Sequence, residues 1–152
     1  MAGRKSRRLT DEELRGLFAE LQFLRLLYKN GLEQKLAVEA WSGPDDLHQD
    51  FIFGDTAVEV KAVSGRERST VRISSEDQME SLCANLFLMV FRLSGAADSD
   101  RALSLNDLVG TIEGELTESE VLDNFSSQLA TYGYVEMQEY DSPRLMISGR
   151  DT

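Results

Sequence analysis

The stretch Asp50-Phe51-Ile52-Phe53-Gly54-Asp55-Thr56-Ala57-Val58-Glu59-Val60-Lys61 decides how this chain is read. Two short apolar runs flank Gly54-Asp55, a dipeptide suited to a tight turn, so the stretch predicts a β-hairpin. Side chains alternate between the faces of a strand. Glu59 and Lys61 therefore share one face, and Val58 and Val60 enter a core on the other. A hairpin turning at Gly54-Asp55 also returns Asp50 to the neighbourhood of Glu59. Two carboxylates and one ammonium then converge on one patch. Carboxylate oxygens suit a hard divalent cation such as Mg²⁺ or Mn²⁺. Such an ion polarises a phosphoryl oxygen and acidifies water. A lysine beside it orients water or offsets charge developing on phosphate. On this reading Asp50, Glu59 and the carbonyl of Val60 are the metal ligands, and Lys61 is the catalytic cation.

A Glu-x-Lys pair in a strand is by itself ordinary solvated surface, so its neighbours carry the weight. Upstream, Thr10-Asp11-Glu12-Glu13 forms a capping box that opens a helix running to Lys29 and stopped by Asn30-Gly31. Leu14, Leu17, Phe18, Leu21, Leu24 and Tyr28 recur at helical spacing and make its buried stripe. Glu20 lies on the edge of that stripe, and Gly16, one turn earlier, leaves room for something to approach. Residues 36–41 read as a strand. Downstream, 65–68 is a polar loop, 69–73 a strand, and Ser74-Ser75-Glu76-Asp77 a helix start that brings in Gln78. The continuous apolar run 86–93 suits a strand buried on both faces. Residues 103–116 and 118–131 read as two helices, the second opened by Thr117 and Glu120, and 135–140 with 144–148 as a terminal hairpin. Two helices and a hairpin resemble a winged-helix module. The acidic run Glu113, Glu115, Glu118 and Glu120 favours docking over DNA contact there.

This arrangement resembles the PD-(D/E)XK nuclease superfamily. There a first helix supplies a Glu, matched by Glu20, and the second core strand begins with an Asp, matched by Asp50. The third carries Glu-x-Lys, matched by Glu59 and Lys61, and a later helix often carries a Gln, matched by Gln78. Three stretches are similar to a PD-(D/E)XK-like family encoded beside bacterial restriction and phage-defence genes. They are Gly16–Leu21, His48–Gly54 with Ala57–Lys61, and Ile73–Gln78, with Leu129–Tyr134 similar to that family's later helix end. One departure is that Gln49, not proline, precedes Asp50; Pro44 stands well upstream. The resemblance implies an α/β (α+β) fold, a restriction-endonuclease-like core with a mixed sheet flanked by helices. It implies a Mg²⁺- or Mn²⁺-dependent endodeoxyribonuclease serving restriction or phage defence, with catalytic residues Asp50, Glu59, Lys61, Glu20 and Gln78. Its partners would be DNA and other proteins of a defence system, and a homodimer stays open. The expected division is a basic tail over 1–9, a nuclease core over 10–101 and a helix–helix–hairpin appendage over 102–152.

His48, two residues before Asp50, would share its face and is a substrate contact or a plain loop-end histidine. Arg66, Arg68, Arg72 and Ser74 are the nearest groups for a phosphate backbone, or else loop charges and a cap. Trp41 and Cys83 read as core. One cysteine excludes an internal disulfide, fits a reducing cytoplasm, and with a single histidine argues against zinc. No apolar run is long enough for a membrane span. The net charge of −11 opposes simple nucleic-acid binding. Arg4, Lys5, Arg7 and Arg8 supply +4 of that total, leaving −15 on the body. Two rivals follow: a catalytically inactive member of the same fold, or an acidic partner-binding protein that mimics DNA.

Overall fold

The computed structural model describes residues 8–41, 50–64, 85–95 and 100–151. Helix α1, Asp11–Lys29, opens with the expected capping box: the Glu13 amide donates to the Thr10 hydroxyl at 3.1 Å, and the Thr10 amide to Glu13 Oε1 at 2.9 Å. It ends at Asn30, with Gly31 following at φ +111°. Leu14, Leu17, Phe18, Leu21 and Leu24 are buried as the spacing predicts.

Helix α2 spans Gln34–Ala40, where the sequence suggested a strand. Ala, Leu, Lys and Glu are good helix formers, and Val38 alone in this segment is β-branched. The extended reading survives only at Trp41, which forms an isolated antiparallel bridge to Phe51.

The sheet is mixed, in the order β1 (Phe51–Phe53), β2 (Thr56–Ser64), β3 (Asn85–Gly95), β4 (Leu145–Asp151). The β1–β2 and β3–β4 pairs are antiparallel and β2–β3 is parallel. Among the described residues, four strands and four α-helices make an α+β fold that fits a PD-(D/E)XK-like core. In β3, Met89, Val90, Phe91 and Leu93 are buried, but Phe87 is 54% exposed, so burial on both faces holds only for the second half of the expected run.

Helix α3, Leu105–Glu115, begins at a Ser104–Asp107 capping box, and Leu103 instead bridges to Leu145. Helix α4, Ser119–Tyr132, is capped by Glu118 without a side-chain bond. The expected Thr117–Glu120 box does not form, because the Thr117 amide donates to Gln34 Oε1 at 3.1 Å. The terminal hairpin is also corrected. Gln138–Asp141 is a 3-10 turn, and β4 joins the sheet beside β3 rather than folding back on residues 135–140. Tyr140 is buried there, its hydroxyl accepting from the Leu9 amide at 2.7 Å. One hydrophobic cluster draws on α1, α2, β2, β3, α3, α4 and β4. No described helix is long and apolar enough to cross a membrane.

Candidate active site

The hairpin forms as the sequence predicts. Gly54, at φ +57°, takes the first position of a two-residue turn, a conformation that glycine adopts at little cost. The register pairs Phe51 with Val58, which brings the preceding residue, Asp50, level with Glu59. The Asp50 amide donates to the Val58 carbonyl at 3.1 Å. Strand β1 stops there, and the side chain takes over the ladder: the Val60 amide donates to Asp50 Oδ2 at 2.7 Å. This bond fixes the carboxylate at the sheet edge. Val58 and Val60 are buried in the core, as alternation requires.

Glu20 arrives from α1 and is 7% exposed. Its Oε1 accepts from Trp41 Nε1 at 2.8 Å. Asp50 and the Tyr132 hydroxyl at the end of α4 both lie near enough to Glu20 to act on it electrostatically. Burial, then the charge of Asp50, raises the Glu20 carboxyl far above the carboxylate range. Burial also raises Asp50, opposed by the Val60 amide and assisted by the charge of Glu59. The same burial and the neighbouring acids raise the Tyr132 phenol. Burial and mutual repulsion thus bias the pair towards retaining a proton.

Glu59 Oε2 lies 3.0 Å from Lys61 Nζ. Its other oxygen, Oε1, is buried and has no hydrogen-bond partner among the described residues. A buried carboxylate oxygen left unbonded is costly and calls for a ligand. Glu20, Asp50, Glu59, Val60 and Lys61 all line one cleft of about 1100 Å³, with Arg15 and Gly16 of α1 on one wall and Ser64 and Ser94 among the strand residues. Five of the predicted site residues are thus brought together. His48, Arg66, Arg68, Arg72, Ser74 and Gln78 lie outside the described residues.

Among the described residues no three acid, imidazole or thiolate side chains form a ready-made metal cage. The cleft offers instead Asp50 and Glu59, with the Val60 carbonyl as a third oxygen. The donor chemistry fits a hard dication: the ligands are oxygens, and one buried carboxylate oxygen has no hydrogen-bond partner among the described residues.

Sequence reasoning missed Trp41 and Tyr132 as site residues. A buried indole N–H needs an acceptor, and Gly16 opposite a terminal tyrosine was the trace of a close approach.

No curated protein and no solved structure matches the chain. A family model described as "Putative PD-(D/E)XK family member, (DUF4420)" matches residues 1–151. With a match of that extent, on a mixed sheet that sets an Asp level with a Glu-x-Lys, the chain belongs to this PD-(D/E)XK-type family.

Proposed function

We propose that the chain is a metal-dependent endodeoxyribonuclease domain that acts in the cytoplasm as part of a restriction or phage-defence system. The observation that carries this reading is the convergence of Asp50, Glu59, Val60 and Lys61 on one cleft, with Glu59 Oε1 buried and without a hydrogen-bond partner among the described residues. Asp50, Glu59 and the Val60 carbonyl would hold Mg²⁺ or Mn²⁺. Bound there, the ion supplies Lewis-acid polarisation of a phosphoryl oxygen and lowers the pKa of water. Lys61, at 49% side-chain exposure, reaches the open part of the cleft and stabilises negative charge on the phosphate. Its ammonium also screens Glu59 from Asp50. The Val60 amide holds Asp50 in orientation, and Glu20 lines the same cleft from the helix side.

The defining experiment is nicking of supercoiled plasmid in Mg²⁺ or Mn²⁺. Glu59→Ala and Lys61→Ala each abolish nicking while retaining the far-ultraviolet circular dichroism of the wild type. Metal-dependent nicking that persists in both variants would remove the assignment. The net charge of −11 favours a second reading, an acidic partner-binding protein. That reading predicts no affinity for DNA at any salt concentration and tight association with a basic protein.

A further inference from the structure

The cleft lies where β2 outruns its neighbour. Strand β1 pairs with Thr56, Ala57 and Val58 and stops. Beyond it, the Val60 amide is taken by the Asp50 carboxylate at 2.7 Å. Backbone groups point to alternate sides along a strand. Ala62, two residues on, therefore presents its N–H and carbonyl along the edge that Val58 and Val60 present to Asp50. Among the described residues no strand pairs with β2 on that side at Ala62, and Ala62 lines the cleft. A sheet-edge N–H of this kind is a donor ready for an acceptor. It stands about 6.6 Å along the strand from the Val60 amide. That is close to the step from one phosphate to the next in an extended nucleic-acid backbone.

The facing wall is α1. Gly16 and Glu20 line the cleft one turn apart, and Arg15 lies beside Gly16 on the same wall. Arg15 precedes Glu20 by about 7.5 Å along the helix axis. Among the described residues, Arg15 and Lys61 are the cations that line the cleft. Arg15 Nε donates to Asp11 Oδ2 at 3.0 Å. The pair is lopsided: the Asp11 side chain is 71% exposed and that of Arg15 is 32% exposed. The carboxylate thus stands outside and anchors a guanidinium that is mostly covered. The bond uses Nε, so both Nη groups, the fork that matches a phosphate, remain for a ligand.

We propose that Arg15 and the Ala62 amide grip the DNA backbone beside the scissile phosphate, one from each wall of the cleft, with Asp11 as the positioning residue that holds the guanidinium. This deepens the nuclease reading above and rests on it. Lys61 meets the phosphate being cut. Arg15 supplies binding and none of that chemistry. A chain with a net charge of −11 must obtain its grip on a polyanion from a few well-placed cations and neutral donors.

The test measures binding of a labelled duplex oligonucleotide to the full chain in Mg²⁺ by fluorescence anisotropy. Parent and variants all carry Lys61→Ala, so that no DNA is cut. Arg15→Gln removes the charge and nearly keeps the length. It binds about 5- to 10-fold more weakly, and its plot of log affinity against log salt is shallower by about 0.9, the value for one phosphate contact. Arg15→Lys keeps the charge and gives up the fork; it restores the slope and part of the affinity. Ala62→Pro deletes the N–H, a change that an edge strand tolerates. It weakens binding without altering the slope, because a neutral donor releases no counterion. Mn²⁺ affinity by calorimetry is the same in the parent and in the Arg15 variants.

Equal affinity and equal slope in Arg15→Gln and its parent overturn the proposal. So does a weaker Arg15→Gln whose Mn²⁺ affinity falls in step, since the residue then serves the metal site or the fold. An Ala62→Pro chain that binds like the parent removes the amide from the grip. If that proline unfolds the chain, the Arg15 variants decide alone. A wild-type chain that neither nicks plasmid nor takes up Mn²⁺ defeats the nuclease reading itself, whereas DNA binding indifferent to Arg15 defeats only the grip.

Discussion

Two carboxylate clusters sit on α1, one at its middle and one at its C-terminal end, and they are built on opposite terms. At the C-terminal end, Glu115 of α3 receives Arg25 Nε at 2.9 Å and Nη2 at 2.7 Å, the Tyr28 hydroxyl, and Lys29 Nζ at 3.2 Å. Every partner is a donor, and two of them carry charge. The hydrogen bonds from Arg25 lead in lowering the Glu115 carboxyl to about 2. At the middle of the helix, Glu20 shares a cleft with Asp50, Glu59 and Lys61, and Glu20 and Asp50 are raised instead of lowered. The first cluster ties α1 to α3 and is electrostatically complete. Among the described residues, the second has the half-exposed Lys61 as the cation paired with its acids. The difference teaches that acids held against their ionisation preference, within a cleft, mark function, whereas acids that are fully matched mark architecture.

The largest effect should separate the clusters by activity. Asp50→Asn lowers plasmid nicking by about 10³-fold or more, because it removes a metal-binding charge. Glu115→Gln leaves the nicking rate within about twofold of the wild type once both are assayed well below their melting temperatures. Equal losses of activity in the two variants would erase the distinction.

The pH dependence of stability in EDTA separates them next. The Glu20 carboxyl sits at about 8 in the folded chain against an ordinary 4.5. The folded state therefore holds the proton more tightly than the unfolded state, and stability falls as pH rises from 4.5 towards 8. The expected decline is on the order of 2 kcal/mol. In Glu20→Gln, which mimics the protonated form, that decline flattens; a denaturant series across this range measures it. Glu115 has the opposite sign. Its depressed value means a stabilising contribution that is present above 4.5 and is lost as pH falls towards 2.

A smaller effect is Glu115→Gln at neutral pH, which costs about 1–2 kcal/mol because the cluster is partly solvated. For a chain of this size that lowers the melting temperature by about 2–6 °C, read by calorimetry. The smallest is Lys29→Ala. Lys29 is 53% exposed and Glu115 keeps its other partners, so the loss stays below about 0.5 kcal/mol and shrinks further in salt.

Local signals made much of this legible. The Thr10–Glu13 box, the stripe of α1 and the Gly54-Asp55 turn each act over a few residues, and each formed as read. The hairpin was enough to place Asp50 level with Glu59. Misreadings arose where tertiary contact decides. Residues 36–41 look extended by their apolar content, but α2 is set by helix-forming residues docked against α4. Residues 135–140 lost their hairpin because β3 offered β4 a long edge. Trp41 was legible as core but not as a donor, since its acceptor is 21 residues away. Tyr132 is further still from Glu20, and no spacing rule connects them.

The two-residue turn has one more consequence. In a paired hairpin the sum of facing residue numbers is constant, so the distance along the chain from Asp50 to Glu59 is tied to symmetric growth of both arms. Deleting Ile52 alone would carry Asp50 into the slot opposite Val58, a buried apolar position now filled by Phe51. Removing Ile52 together with its facing Ala57 would leave the acids level. Insertions and deletions in these two strands are thus tolerable only in matched pairs, a parity rule that a panel of length variants would expose.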